Sequence, residues 1–249
     1  MPLVRRGRDR PRAGAQAPQV RARRHVSAPP AAAPGVPAWL APVAALPGRL
    51  GPYDLSRLRP PRGDERPGAV LVLFGEGDEG PDLLLIERAA TLRSHSGQPA
   101  FPGGAQDPGD DGPAGAALRE AQEETGLDPA GVQVLGLLPA LWVPVSGFAV
   151  VPVLAWWREP SPVRVVDPAE CAAVHRVPIA ELLDPAHRVR TRHPSGHVGP
   201  AFAVRGMLVW GFTAGILDRV LHHAGWERPW DESRVVPAPA DPPRDVPPA

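Results

Sequence analysis

Short apolar runs separated by turn-forming residues, with two stretches of helical period among them, organise the middle of this chain. Ala69 to Phe74 and Leu83 to Glu87 have the length and aliphatic content of strands, the second feeding a glycine-rich loop. Asp111-Gly112-Pro113 reads as an N-cap and first turn, which predicts a helix running to about Thr125. Val132 to Leu138 and Phe148 to Trp157 are the next predicted strands. The latter is nearly all apolar, so it is expected inside a sheet and covered on both faces. Val163 to Val166 and Ala172 to Val177 predict shorter strands, Ile179 to Leu183 a short helix, and Met207 to Ala224 a longer one. In that last segment Met207, Trp210, Ala214, Leu217 and Leu221 recur at helical spacing as a buried stripe. The mixture predicts an α/β fold with a mixed central sheet between helices.

Composition narrows the folded part. Of 249 residues 36 are proline, concentrated towards both ends and between the apolar runs, so the core is expected within residues 68–230. On this reading residues 1–34 are a disordered Arg/Pro/Ala-rich arm, 35–67 a Pro-rich lead-in and 231–249 a disordered Pro-rich tail. The net charge is zero, yet Arg5, Arg6, Arg8, Arg10, Arg12, Arg21, Arg23 and Arg24 face Asp9 alone near the start. Such an arm has no apolar period with which to join a core. Contact with nucleic acid is its less favoured use, beside that of an unselected extension. No hydrophobic segment of secretory type follows the arginines, and no apolar run approaches the ~18 residues of a membrane span. Cys171 is the single cysteine. It leaves no partner for an intramolecular disulfide or a cysteine-based zinc site, and the cytoplasm is the expected compartment.

The candidate chemistry lies in the predicted helix after the glycine-rich loop. Glu120, Glu123 and Glu124 stand at i, i+3 and i+4, so their carboxylates share one face and repel one another. They also fall in the last turn, against the negative end of the helix dipole. A solvated acidic face is the plain alternative, and three neighbours weigh against it. Arg119 can pair with a carboxylate one turn on, Gly126-Leu127 reads as a C-terminal cap just past the cluster, and Gly103-Gly104 lets backbone approach a phosphate or metal closely. Hard oxygen ligands clustered in this way suit Mg²⁺ or Mn²⁺.

These residues resemble the Nudix box. Arg119-Glu120-Ala121-Gln122-Glu123-Glu124-Thr125-Gly126-Leu127 matches its second half fully. In the first half Gly104 is followed at the usual interval by Asp110 instead of Glu, or alternatively Asp111 keeps the interval to Arg119 and the family glycine falls on Ala105; either way the loop runs one residue long. Just upstream, Leu84-Leu85-Ile86-Glu87-Arg88 with Arg93, Gly97 and Phe101-Pro102-Gly103-Gly104 is similar to the signature of coenzyme A pyrophosphatases within the Nudix superfamily. Asp107 and Asp110 match an Asp pair that this subfamily places before its helix. The segment Trp210 to Leu217 also resembles the subfamily's final helix.

The resemblance implies a Nudix-type α/β/α sandwich and a metal-dependent diphosphate hydrolase. The implied substrate is coenzyme A or its thioesters, cleaved to 3′,5′-ADP and 4′-phosphopantetheine or its acyl form. Glu120 and Glu124 would bind Mg²⁺ or Mn²⁺, with Glu123 on the same metal face and a backbone carbonyl of Gly103 or Gly104 beside them. Arg119 would orient the cluster. Glu123 or Glu170 would take a proton from water, Glu123 preferred because it is tied to the metal face, Glu170 a candidate by its likeness to a loop glutamate that many Nudix enzymes bring towards the metal. Arg88 and Arg93 would meet phosphate, since guanidinium binds it bidentately, and His95 and Gln98 would add hydrogen bonds. Alternatives from the same family are hydrolysis of ADP-ribose, a nucleoside-diphosphate sugar or a dinucleoside polyphosphate, and a non-catalytic ligand sensor. A small-molecule nucleotide is the expected partner, with no membrane; a homodimer stays open.

His187, His193 and His197 sit among Pro, Gly and Arg in an expected loop. A zinc site there is disfavoured because nothing regular fixes them; closing over substrate with Arg190 and Arg192 is the preferred use. Deleting residues 1–34 is expected to leave hydrolysis and thermal stability unchanged. A fall of more than a few degrees in melting temperature would make the arm part of the fold.

Overall fold

The computed structural model describes residues 35–90 and 97–239. The expectations for the arm of residues 1–34, for Arg93 and for His95 lie outside these described residues. In chain order the elements are α1 (Ala41–Ala44), α2 (Pro52–Leu55), β1 (Arg66–Gly77), β2 (Gly80–Arg88), β3 (Pro99–Ala100) and β4 (Gly103–Ala105). Then come α3 (Gly112–Thr125), β5 (Val132–Leu137), β6 (Leu141–Val143), β7 (Phe148–Trp157), β8 (Cys171–Pro178) and α4 (Ile179–Leu183). The last are β9 (Arg188–Arg192), β10 (Val198–Val204), β11 (Met207–Val209), α5 (Gly211–His223) and β12 (Val235–Pro237).

The main sheet runs β3-β2-β1-β7-β5, with β4 on β1, β6 on β7 and β8 on β2. β1 and β7 are parallel from Arg66↔Phe148 to Phe74↔Trp156, and their neighbours are antiparallel, so the sheet is mixed. The apolar β7 lies between β1 and β5, as its composition predicts.

Alternation along β1 assigns the two faces. Ala69, Leu71 and Leu73 join Leu84, Val153 and Ala155 against Ala116, Ala117 and Ala121 of α3; the small alanines let the helix settle close to the sheet. Val72 and Phe74 point the other way, with Leu83, Leu85 and Leu154, into a cluster with Ile216, Leu217, Val220 and Leu221 of α5. Helix, sheet and helix thus form three layers, the expected α/β/α arrangement.

Four expectations differ from the structure. The packed region begins before Gly68: Leu40, Val43, Leu46 and Leu55 of the lead-in are buried in the α5-side cluster. Proline shortens the helices there without preventing their apolar side chains from docking. In the tail, Val235–Pro237 pairs in parallel with β9. Met207–Val209 is a strand, not the start of a helix. A turn at Arg205 and Gly206, both with positive φ, folds it back so that Val204 faces Met207; the buried stripe holds only within α5, at Ala214, Leu217 and Leu221. Val163 to Val166 forms no strand, because its N–H groups serve the end of α3: Arg164 donates to the Thr125 carbonyl at 2.9 Å and Val166 to that of Glu124 at 3.2 Å.

The segments around the expected histidine loop form a second sheet, β11-β10-β9-β12, with His193 and His197 in the turn between β9 and β10 and His187 in a short 3-10 turn ahead of β9. The three histidines go separate ways. His187 Nδ1 lies 3.0 Å from the Glu181 carbonyl, His193 stacks on Trp210, and His197 accepts the His193 N–H through its backbone at 2.8 Å.

Candidate active site

β4 brings the glycine pair under α3. Its pairing with β1 sets Gly104 opposite Ala69, on the face that α3 covers. A side chain at Gly104 would stand within 2.7 Å of the Glu120 carboxyl group, so the missing Cβ is the space that this carboxylate occupies. Gly103 donates its N–H to Glu124 Oε2 at 3.0 Å. α3 ends where expected: Gly126, at φ 69°, adopts the left-handed cap and its N–H returns to the Gln122 carbonyl at 2.8 Å.

The three glutamates are not equivalent. Glu124 is 3 % exposed, and burial above all, aided by the charges of Glu120 and Glu170, pushes its carboxyl up to about 7 against the pull of the Gly103 N–H and of Arg88. Glu120 is also raised, first by burial and then by Glu123 and Glu170, with Arg119 opposing. Glu123 is exposed and turned to Arg119, at 2.9 Å.

Arg119 ties the loop to the helix. Its Nε meets Asp110 Oδ1 at 2.9 Å, and Nη2 meets the Ala105 carbonyl at 3.0 Å and Glu120 Oε1 at 3.1 Å. Asp110 also accepts the Asp107 N–H at 2.7 Å. That guanidinium, with this N–H, holds the Asp110 carboxyl below its ordinary range. The loop aspartate therefore anchors the arginine, a role that spacing alone did not separate from metal ligation.

Two further groups reach the cluster from distant parts of the sequence. Glu170 is exposed in the turn before β8. Its carbonyl accepts the Ala89 N–H at 2.9 Å, beside a register shift between Glu87 and Arg88 where β2 pairs with β8. Arg88 is positioned by reciprocal backbone bonds with the next loop: its N–H donates to Gln98 at 3.1 Å and its carbonyl accepts from Gly97 at 3.0 Å. Its Nε is buried without a hydrogen-bond partner among the described residues. Cys171 is buried here too, and burial, then the Glu124 charge, push its thiol up. Sequence reasoning missed Gly68, where a Cβ would press on the Gly104 carbonyl oxygen at 2.8 Å; only its glycine identity signals that role.

The arrangement suits a hard divalent cation. Among the described residues no three His, Cys, Asp or Glu side chains already converge on one point. Yet the Glu170 charge bears on both Glu120 and Glu124 and the Glu120 charge on Glu124, and carboxylates that repel in a partly buried site are relieved by a positive ion. The Gly104 cradle leaves Glu120 free of any side chain from the facing strand.

The NUDIX domain model matches residues 64–196. A protein of Cronobacter sakazakii described as an uncharacterized Nudix hydrolase NudL is 41% identical over 173 residues, spanning 67% of this chain and 86% of that protein. A protein of Klebsiella pneumoniae with the same description is 38% identical over 185 residues, 71% of this chain and 93% of its own length. Among solved structures, a MutT/nudix family protein from Enterococcus faecalis overlaps at a TM-score of 0.44 and 17% identity, over 70% of this chain and 66% of that one.

Proposed function

Since the chain belongs to the Nudix hydrolase family, we propose that it cleaves the diphosphate bond of coenzyme A or its thioesters, giving 3′,5′-ADP and 4′-phosphopantetheine or its acyl form. The observation that carries the hydrolytic reading is the buried Glu124 beside the half-buried Glu120, both packed against Gly103-Gly104 and unfavourable unless neutralised. The substrate reading rests on the resemblance across residues 84–104, supported by the position of Arg88 beside Glu124.

Glu120 and Glu124 hold Mg²⁺ or Mn²⁺ on this reading. The ion, when bound, neutralises diphosphate charge and acidifies water. Arg119 keeps Glu120 and the loop in register. Glu170 accepts the water proton in preference to Glu123, because it is exposed and acts on both Glu120 and Glu124, whereas Glu123 is engaged by Arg119. Arg88, whose buried Nε has no hydrogen-bond partner among the described residues, offers phosphate a donor. Gln98 is a further proposed contact, and the resemblance adds Arg93 and His95, which lie outside the described residues.

The test is to offer coenzyme A, ADP-ribose and a diadenosine polyphosphate in parallel to purified protein with Mg²⁺ or Mn²⁺, and to identify the products. Coenzyme A should give the highest kcat/KM; a clear preference for either rival rejects the substrate assignment. Arg88→Ala should lower kcat/KM for coenzyme A on the order of 10- to 100-fold, the loss of a charge-assisted contact of about 1.5–3 kcal/mol. Because Arg88 lies beside Glu124, its target is the diphosphate, so the loss should be equal for dephospho-coenzyme A. A smaller loss on that substrate would move Arg88 to the 3′-phosphate.

A further inference from the structure

A pocket opens on the other side of the main sheet from α3, beside the same strand end. Glu87, Gln98, Pro99, Met207, Leu208 and Trp210 contribute to its walls, and its volume is about 160 Å³. That is roughly ten times what one water needs, enough to admit part of a ligand. Glu87 has the strand parity of Leu83 and Leu85, which face the α5-side cluster, and its Oε2 lies 3.7 Å from His175 Nε2. Arg88, one residue on, faces Glu124. The Arg88–Gln98 and Gly97–Arg88 backbone bonds make the pocket's rim and the proposed phosphate contact immediate neighbours.

Resting on the function proposed above, we propose that this pocket seats the neutral, amide-linked arm of the substrate and excludes its phosphorylated nucleoside. Pro99, Met207, Leu208 and Trp210 supply apolar surface for methylene and methyl groups. Gln98 can both donate and accept, and the Glu87 carboxylate accepts from amide N–H or hydroxyl. Among the described residues lining the pocket Glu87 alone is ionisable, and its negative charge opposes a phosphate. The far wall is held in place. Arg205, at φ 49° in the β10–β11 turn, reaches Glu79 and Glu181, each at 2.7 Å, fixing the strand that carries Met207 and Leu208.

The experiment uses the full chain and measures inhibition by each product half separately. Leu208→Trp fills the pocket; it should raise KM for coenzyme A and Ki for 4′-phosphopantetheine together by about tenfold or more, leaving Ki for adenosine 3′,5′-bisphosphate within about twofold. Leu208→Ala, which removes wall without filling the space, should weaken 4′-phosphopantetheine by a smaller factor, again sparing the nucleotide. Thermal melts of both variants separate these effects from misfolding. Weakened nucleotide inhibition, or unchanged KM and Ki in both variants, overturns the pocket assignment while leaving coenzyme A hydrolysis standing. Wild-type protein that leaves coenzyme A intact rejects the parent reading and this assignment with it.

Discussion

Glu124→Gln is expected to abolish turnover and, in the same protein, to stabilise the metal-free fold at alkaline pH. The Glu124 carboxyl is raised from 4.5 to about 7 by burial. The folded state therefore holds its proton more tightly than the unfolded chain does. This contribution to stability is complete below about pH 4.5, declines as pH rises, and is lost above about pH 7. The difference is on the order of 3 kcal/mol. A glutamine fills the same space uncharged, so chelator-treated wild-type protein should lose stability relative to the variant between pH 5 and pH 8, as read by urea unfolding. Activity should move the opposite way, falling at least a hundredfold at saturating metal, a barrier increase of about 3 kcal/mol. A variant with more than about a tenth of wild-type activity, or one whose stability follows the wild-type pH curve, contradicts the role given to Glu124.

The neighbouring glycines should separate function from folding. In Gly104→Ala the new methyl group would collide with the Glu120 carboxyl, the far end of a flexible side chain. The fold can yield at small cost, but the carboxylate must leave its place. We expect a loss of about a hundredfold or more in kcat, since misplacement of about 1 Å has that scale of effect, with a melting temperature within a few degrees of wild type. In Gly103→Ala the methyl group would overlap the Ala69 carbonyl oxygen and crowd the Val70 Cα, both on the rigid central strand β1. Here the fold itself should suffer, by on the order of 3 kcal/mol, a melting temperature roughly 10 °C lower. Paired melting curves and single-substrate kinetics check both. Unchanged kcat in Gly104→Ala would show that Glu120 does not depend on the Gly104 cradle, and equal loss of stability in the two variants would contradict the separation of function from folding.

Where local spacing determines structure, the sequence was legible. The run Phe148 to Trp157 and the short helix Ile179 to Leu183 occupy the residues expected, and Gly126 caps α3 in the left-handed conformation. The lead-in was obscured by composition. Val36, Trp39, Leu40, Val43 and Leu46 recur at helical intervals, but Pro37, Pro42 and Pro47 hide the stripe. Its burial follows from long-range packing, such as that of Trp39 on Trp226 at 6.1 Å. Gly206 and Gly211 punctuate the chain on either side of Met207–Val209, and weighting them would have shown the strand ahead of α5.

The candidate site divides in the same way. The i, i+3, i+4 spacing of Glu120, Glu123 and Glu124 follows from the helix alone. That Glu124 is buried while Glu123 turns to Arg119 depends on β4, which only the sheet pairing places. The approach of Glu170 requires β8 to pair with β2 across most of the domain, with a register shift at Arg88. No local pattern encodes that contact.

The claim that Glu120 and Glu124 hold the catalytic cation is tested most directly by calorimetric titration of the metal-free protein with Mn²⁺ near pH 6.5, in two buffers of different ionisation enthalpy. With a carboxyl of pKa about 7 at the site, binding should release a substantial fraction of a proton. Glu124→Gln should bind at least about tenfold more weakly without that release. Mn²⁺ binding of wild-type affinity and unchanged proton release in the variant would contradict the account.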